Sequence, residues 1–249
     1  MADEKQTEPH SGGEHPDADP TESRPGIPNS GNPHPDATHP GKPHEGEEHP
    51  GEGLCFAAGS MIETPDGEVA VETLQIGDLV ITVSGQQVPV KWVGRQTFRP
   101  AASNDEKLQP VRISEGALEA GKPNRDLVLT ASHGVIIDGL VINAGALVNH
   151  SSISFVPLHE LPETVTYYHI ETEAHEVILA NGTEAETYVD YIERQAFDNY
   201  DEYVELYGSE TRIIEMPRHR ISSRRLLPLA LRQKLGIGMA RDPLMARSA

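Results

Sequence analysis

The 249 residues weigh 27.1 kDa, enough for one large domain or two small ones. Acids outnumber bases 39 to 20, a net charge of −19, so the chain as a whole repels phosphates and makes a poor nucleic-acid binder. The single cysteine excludes an intramolecular disulfide framework and a multi-cysteine zinc site, and no apolar run nears the roughly 20 residues of a membrane span.

A mean hydropathy of −0.46 and 5% aromatics are too polar for one compact fold along the whole length. Three regions differ in composition. Residues 1–54 hold 12 acids and 3 bases, residues 55–210 hold 25 and 8, and residues 211–249 hold 2 and 9. The expected organisation is a disordered acidic tail over 1–53, a folded domain over 54–199, and an extension over 200–249 that turns from acidic to basic. The first residues carry no basic segment followed by an apolar one. Synthesis in the cytoplasm is therefore expected, with export by a non-Sec route left open.

Residues 1–53 contain 10 of the 20 prolines and 6 of the 12 histidines, and almost no large apolar side chains. Such a segment buries too little apolar area to offset its chain entropy. Its recurring pairs, such as His15-Pro16, His34-Pro35 and His49-Pro50, read either as weak metal capture or as a solvated spacer.

From Leu54 the chain reads as short strands. Pro65-Asp66-Gly67 is a turn before Val69–Val71, and Leu79–Val83 runs into Ser84-Gly85. Val88–Val93 alternates up to Gly94, and Val111–Ile113 is short. Leu127–Thr130 leads to His133-Gly134, then Val135–Ile137, the turn Asp138-Gly139, and Leu140–Ile142. Ile153–Val156 and Val165–Ile170 are β-branched and aromatic, and Glu176–Leu179 ends near the turn pair Asn181-Gly182. About ten such strands predict an all-β domain. Tyr188–Tyr207 reads as helix or loop. In 211–249, Leu226–Leu235 reads as a short amphipathic helix broken by Pro228, and the basic segment as either a docking element or a frayed terminus.

Three places carry residues suited to chemistry. Cys55 sits where the folded region begins, with its own amide bond to Leu54 beside its side chain; taken alone it is either a buried small hydrophobe or a nucleophile. Thr130 and His133 lie three apart at a strand end, able to share a pocket or merely to form a turn. His169 and His175 follow on adjoining strands, as a proton relay or as ordinary strand residues.

The order of motifs resembles the Hint domain, the fold shared by inteins and the autoprocessing part of Hedgehog proteins, and most nearly its bacterial members. The opening is Cys55-Phe56-Ala57-Ala58-Gly59-Ser60-Met61-Ile62. Thr64–Gly67, Val71-Glu72-x-Leu74, Gly77-Asp78-x-Val80 and Val90-x-Trp92-x-Gly94-Arg95 continue it. Arg125–Leu127, Ser132-His133, Tyr168-His169, His175, Ala180-x-Gly182 and Glu186-x-Tyr188 complete it, over about 54–199.

The resemblance implies a horseshoe-like β fold and self-cleavage. Cys55 would attack the carbonyl of Leu54 and turn the Leu54–Cys55 amide into a thioester, an N-to-S acyl shift. His133 matches the histidine that protonates the departing nitrogen, Thr130 the threonine that holds or polarises the scissile peptide, and His175 a late histidine that assists acid–base steps. His169 stands where inteins commonly have aspartate and is an auxiliary candidate. Glu186-Thr187 stands where inteins have His-Asn, so full splicing is not expected. An external nucleophile (water, a thiol or an amine) would resolve the thioester and release the protein's own N-terminal segment. No cofactor and no metal are implied. The alternatives are a non-catalytic Hint-fold module for binding or display and, from the histidine-rich tail, metal buffering.

Overall fold

The computed structural model describes residues 53–100 and 109–238. The tail expected to be disordered lies outside these, apart from Gly53, as do its histidine-proline pairs and residues 239–249.

Fifteen strands and two short α-helices are found among the described residues, with single 3-10 turns between them. The strands are β1 Phe56–Ala57, β2 Met61–Thr64, β3 Gly67–Ala70, β4 Leu79–Ile81, β5 Gln87–Pro89, β6 Trp92–Phe98, β7 Val111–Ile113 and β8 Leu127–Leu129. β9 Gly134–Ile137, β10 Leu140–Asn143, β11 Ile153–Phe155, β12 Val165–Glu171, β13 Val177–Ala180, β14 Thr183–Glu186 and β15 Arg220–Ile221 follow. The helices are α1 Tyr200–Tyr207 and α2 Leu229–Lys234. The fold is all-β, as the strand runs predict. β4 and β5 form a separate hairpin, and the rest divide into a sheet ordered β11-β7-β8-β1-β12-β6 and a sheet ordered β15-β10-β9-β14-β13-β2-β3.

The predicted turns close hairpins for the expected reason. Asp138-Gly139 and Asn181-Gly182 both have positive φ at each residue, 51° and 78°, then 49° and 69°, which suits the right-handed twist of the strands they join. Asn181 also spans the hairpin's neighbours: its Oδ1 accepts from the Met61 N–H at 2.7 Å and its Nδ2 donates to the Asp126 carbonyl at 2.9 Å.

Three chain crossings between the two large sheets define the site. β1 passes to β2 through Ala57–Ser60, where Glu72 accepts the Gly59 N–H at 2.8 Å. β8 passes to β9 through Thr130–His133, a turn closed by the His133 N–H on the Thr130 carbonyl at 3.1 Å. β12 passes to β13 through Thr172–Glu176. Cys55, Thr130, His133 and His175 all lie at or beside these corners.

Strand alternation then sorts the core. Phe56 and Cys55, adjacent in sequence, enter different apolar clusters. Phe56 joins the larger one with Ile62, Leu129 and Ile170, and Cys55 joins a second with Trp92, Tyr167, Tyr188 and Phe197. On β12, Val165, Tyr167, His169 and Glu171 share one face and are buried. β6 pairs with it in register, Trp92 to Glu171 and Gly94 to His169. A side chain at Gly94 would begin 2.8 Å from both Trp92 and Phe197, so glycine there lets the two rings meet edge to face at 5.3 Å.

Residues after 199 differ from one sequence expectation. The segment that reads as a possible frayed terminus folds back as far as 238. Ile213, Leu227, Leu231, Leu235 and Ile237 are buried. β15 adds to β10 as a parallel strand, with the Val141 N–H on the His219 carbonyl at 2.9 Å. The reason is apolar spacing: Leu227, Leu231 and Leu235 recur every four residues and enter the main core together. Pro228 interrupts the stretch as the sequence predicts: a 3-10 turn over Arg224–Leu226 ends before it and α2 begins after it, with the Pro228 carbonyl accepting the Arg232 N–H at 3.0 Å. Arg194 ties this region down: it is 1% exposed and reaches Glu171 with Nε at 2.8 Å and Nη2 at 3.1 Å. The rings of Tyr188 and Tyr203 lie 4.5 and 4.9 Å from its guanidinium.

Candidate autoprocessing site

Cys55 and Leu54 are enclosed, at 0% and 3% exposure. The backbone between them is held by Thr130. Its hydroxyl accepts the Cys55 N–H at 2.9 Å and donates to the Gly53 carbonyl, so it brackets Leu54 from both sides. The Thr130 N–H in turn donates to the Cys55 carbonyl at 3.0 Å, which fastens the β8 end to the start of β1.

The Cys55 thiol faces the second apolar cluster. A side chain at Gly53 would begin 3.0 Å from its Sγ and 3.1 Å from Ile192 Cδ1, so the thiol packs close under the residue two before it. Burial alone pushes this thiol far above its ordinary range, so it rests as a neutral S–H. The neighbouring Tyr167 hydroxyl is pushed up too, first by burial and then by proximity to Cys55, and has no hydrogen-bond partner among the described residues.

His133 is fully buried, with its ring against Phe56 at 4.3 Å between centroids and 6.1 Å from that of His169. Burial lowers its pKa to about 4; Glu186 pulls it up, Arg220 pulls it down, and the Leu54 carbonyl beside the ring pulls it up. That carbonyl lies near the ring without completing a hydrogen bond, and both ring nitrogens are unpartnered. His169 is in the same condition: burial, then the His133 charge, holds it well below 6.5, and neither nitrogen is bonded. Buried polar atoms without partners are uncommon and collect at sites that do chemistry.

His175 is the opposite case. Its Nδ1 accepts the Met216 N–H at 3.1 Å, which leaves Nε2 to donate to Glu186 Oε2 at 3.0 Å. The Glu186 carboxylate is filled on both oxygens. Oε1 accepts the Gly134 N–H at 2.6 Å and Arg220 Nη1 at 3.0 Å; Oε2 accepts from His175 and from Arg220 Nη2. Burial would push this carboxyl up, yet the hydrogen bonds from His175 and Arg220 and the charge of Arg220 hold it at about 2. Glycine at 134 is required by the same approach, because a side chain there would meet the Glu186 carboxylate and lie 2.5 Å from Val141.

The residues singled out from sequence therefore gather around one enclosed peptide bond and the carboxylate behind it. Thr130 touches the peptide, His133 flanks its carbonyl, His169 lies beyond His133, and His175 engages Glu186. Glu186 and Arg220 were not foreseen as members. Glu186 is legible as part of the Glu186-x-Tyr188 element and as the residue standing where inteins have histidine, with no role attached to it. Arg220 lies in a stretch whose sole signal was its positive charge.

Among the described residues no group of three His, Cys, Asp or Glu gathers as a metal site, and no helix is long and apolar enough to cross a membrane.

The sequence model of the Hint domain matches residues 54–191. Solved structures similar to this chain include the MchDnaB-1 intein (N145AA), at 14% identity and a TM-score of 0.39, covering 53% of this chain and 99% of that one. The bacterial intein-like domain from Clostridium thermocellum is 17% identical, with a TM-score of 0.37, covering 55% and 99%. The DnaB intein from Synechocystis sp. PCC 6803 is 11% identical, with a TM-score of 0.37, covering 54% and 99%. No curated protein matches the sequence.

Proposed function

The chain belongs to the Hint domain family, and from that membership we propose that it cleaves its own backbone at Leu54–Cys55 and releases the segment 1–54. The observation that supports this most is the handling of one peptide bond: Leu54–Cys55 is enclosed, its N–H is bound by Thr130, and its carbonyl lies against His133.

In the first step Cys55 Sγ bonds to the carbonyl carbon of Leu54 and the thiol proton is released. His133, neutral at pH 7, takes that proton and delivers it to the Cys55 nitrogen as the C–N bond breaks. The products of this step are a thioester and a free amine on one chain. Because both reactants sit on one enclosed backbone, no translational freedom is lost on the way to the transition state. As the nitrogen gains positive character, its N–H donates more strongly to the Thr130 hydroxyl, an interaction that favours the transition state over the starting amide. His175 acts through Glu186 rather than on the peptide.

The second step needs an external nucleophile. Water, a thiol or an amine adds to the Leu54 acyl carbon, and the Cys55 thiol is restored. Glu186-Thr187 supplies no asparagine to cyclise, so the C-terminal side stays attached and splicing does not follow. The substrate is the chain itself, and nucleic acid has no part.

One observation favours the other reading, a Hint-fold module that binds or displays without cleaving. The Cys55 thiol is wholly enclosed and far from its thiolate range. Intact mass of wild type and of Cys55→Ala, each with and without dithiothreitol, separates the two. Self-cleavage requires loss of residues 1–54 from wild type alone, faster with thiol; two chains that stay whole throughout would leave only the display reading.

A further inference from the structure

Resting on the self-cleavage reading, we propose that Arg220 is a positioning residue for the acyl shift, so that the reaction centre extends beyond the Hint match into the C-terminal segment. The match ends at residue 191, and Arg220 lies 29 positions after it.

The geometry is specific. Arg220 presents both Nη atoms to the two oxygens of Glu186, the planar fork that guanidinium makes with carboxylate. The fork is itself held: Nη1 also donates to Asn143 Oδ1 at 3.2 Å, Nε faces Glu215 at 3.4 Å, and the Tyr191 ring lies 4.8 Å from the guanidinium. β15 brings it there by pairing with β10, in register Val141 to Arg220. Glu186 is 0% exposed, so without Arg220 its charge would keep only hydrogen-bond partners and no fixed cation.

Fixing Glu186 fixes what it touches. Its Oε1 takes the N–H of Gly134, the residue directly after His133, and its Oε2 takes the His175 ring. The carboxylate thus pins the corner on which the His133 ring is carried. It also supplies the negative charge that favours a proton on His133, while Arg220 opposes that proton. The charged and titratable groups around His133 are Glu186 on β14, His169 on β12, His175 on the β12–β13 corner and Arg220 on β15, with Cys55 and the Leu54 carbonyl at the peptide.

The test is the rate of thiol-induced cleavage of the full chain, followed by intact mass between about pH 3 and pH 8. Arg220→Ala should slow cleavage about tenfold to a hundredfold at pH 7 and move the acid limb of the profile to higher pH. Glu186→Gln should slow it as well but move that limb the opposite way, to lower pH. Arg220→Lys should recover part of the rate, and the exposed control Arg218→Ala should match wild type. Opposite shifts from the two halves of one ion pair are not produced by a merely structural role. The inference is overturned if Arg220→Ala keeps the wild-type rate and profile, or if both variants slow with an unmoved profile. Should Arg220→Ala fail to fold by its thermal melt, Arg220→Lys and Glu186→Gln decide on the same two criteria. A wild type showing no Cys55-dependent cleavage would defeat the parent reading, a result distinct from any of these, and this inference with it.

Discussion

Two groups of buried polar side chains, a few ångströms apart, are treated in opposite ways. Around the Leu54–Cys55 peptide, His133 and His169 have four ring nitrogens with no partner among the described residues. Behind it, Glu186, His175 and Arg220 are satisfied on nearly every atom, as are Arg194 and its partner Glu171, two residues beyond His169 on β12. The satisfied groups hold position. The unsatisfied ones have lost water without gaining a bond, which costs about 1–3 kcal/mol per group and leaves them free to move a proton. The difference sorts these side chains more clearly than residue type does, since histidine is found on both sides.

The largest effect that would break this comparison concerns His133. His133→Gln should cut cleavage by about 10²- to 10⁴-fold, read by intact mass, while the melting temperature stays close to wild type. A variant that cleaved normally would mean that the unpartnered ring is only packing. Next is the satisfied side. Arg194→Ala leaves Glu171 buried with Lys91 Nζ at 3.5 Å as its remaining cation, and should lower stability by about 3 kcal/mol in urea melts. Loss of less than about 1 kcal/mol would show that this pair is replaceable.

Acid should reveal the unsatisfied side in a third way. His133 is held neutral down to about 4, below its ordinary 6.5. Between those values the unfolded chain binds a proton that the folded chain refuses. Its contribution is therefore complete above 6.5 and is lost as pH falls toward 4. A melt at pH 5 should show about 2 kcal/mol less stability from this group than at pH 7, and His133→Gln should remove that part of the drop. The smallest effect is at the junction. Gly53→Ala presses a methyl toward Cys55 Sγ and Ile192, and should change the cleavage rate by less than about tenfold. A complete block instead would mean that the thiol has no room to approach Leu54.

The strand runs were legible because apolar alternation and turn residues are local. Asn181-Gly182 and Asp138-Gly139 sit at the hairpins their chemistry demands. Cys55, Thr130 and His133 were legible as a set only through the order of motifs, since each alone suits a core or a turn. What could not be read was what the long-range pairing brings together. The His219-Arg220-Ile221 run is too short to announce a strand, and its partner β10 lies about 80 residues earlier. Nor does composition tell a basic surface from a cation aimed at one buried carboxylate. Arg218 is exposed and Arg220 is engaged, two positions apart, because Arg218 precedes β15 while Arg220 lies within it, paired to Val141 beside the carboxylate.

β15 also sets a timetable. A ribosome delivers Cys55 early, Thr130 and His133 next, and Arg220 late. At about 5–20 residues per second, the stretch from His133 to Arg220 takes roughly 4–17 s to appear. During that interval the nascent chain already carries Cys55, Thr130 and His133, yet the edge of β10 is bare and Glu186 has no guanidinium. If the late strand completes the reaction centre, severance waits for it. The amino-terminal segment then stays covalently joined until nearly all of the folding unit has emerged, and the last strand to arrive acts as the release signal.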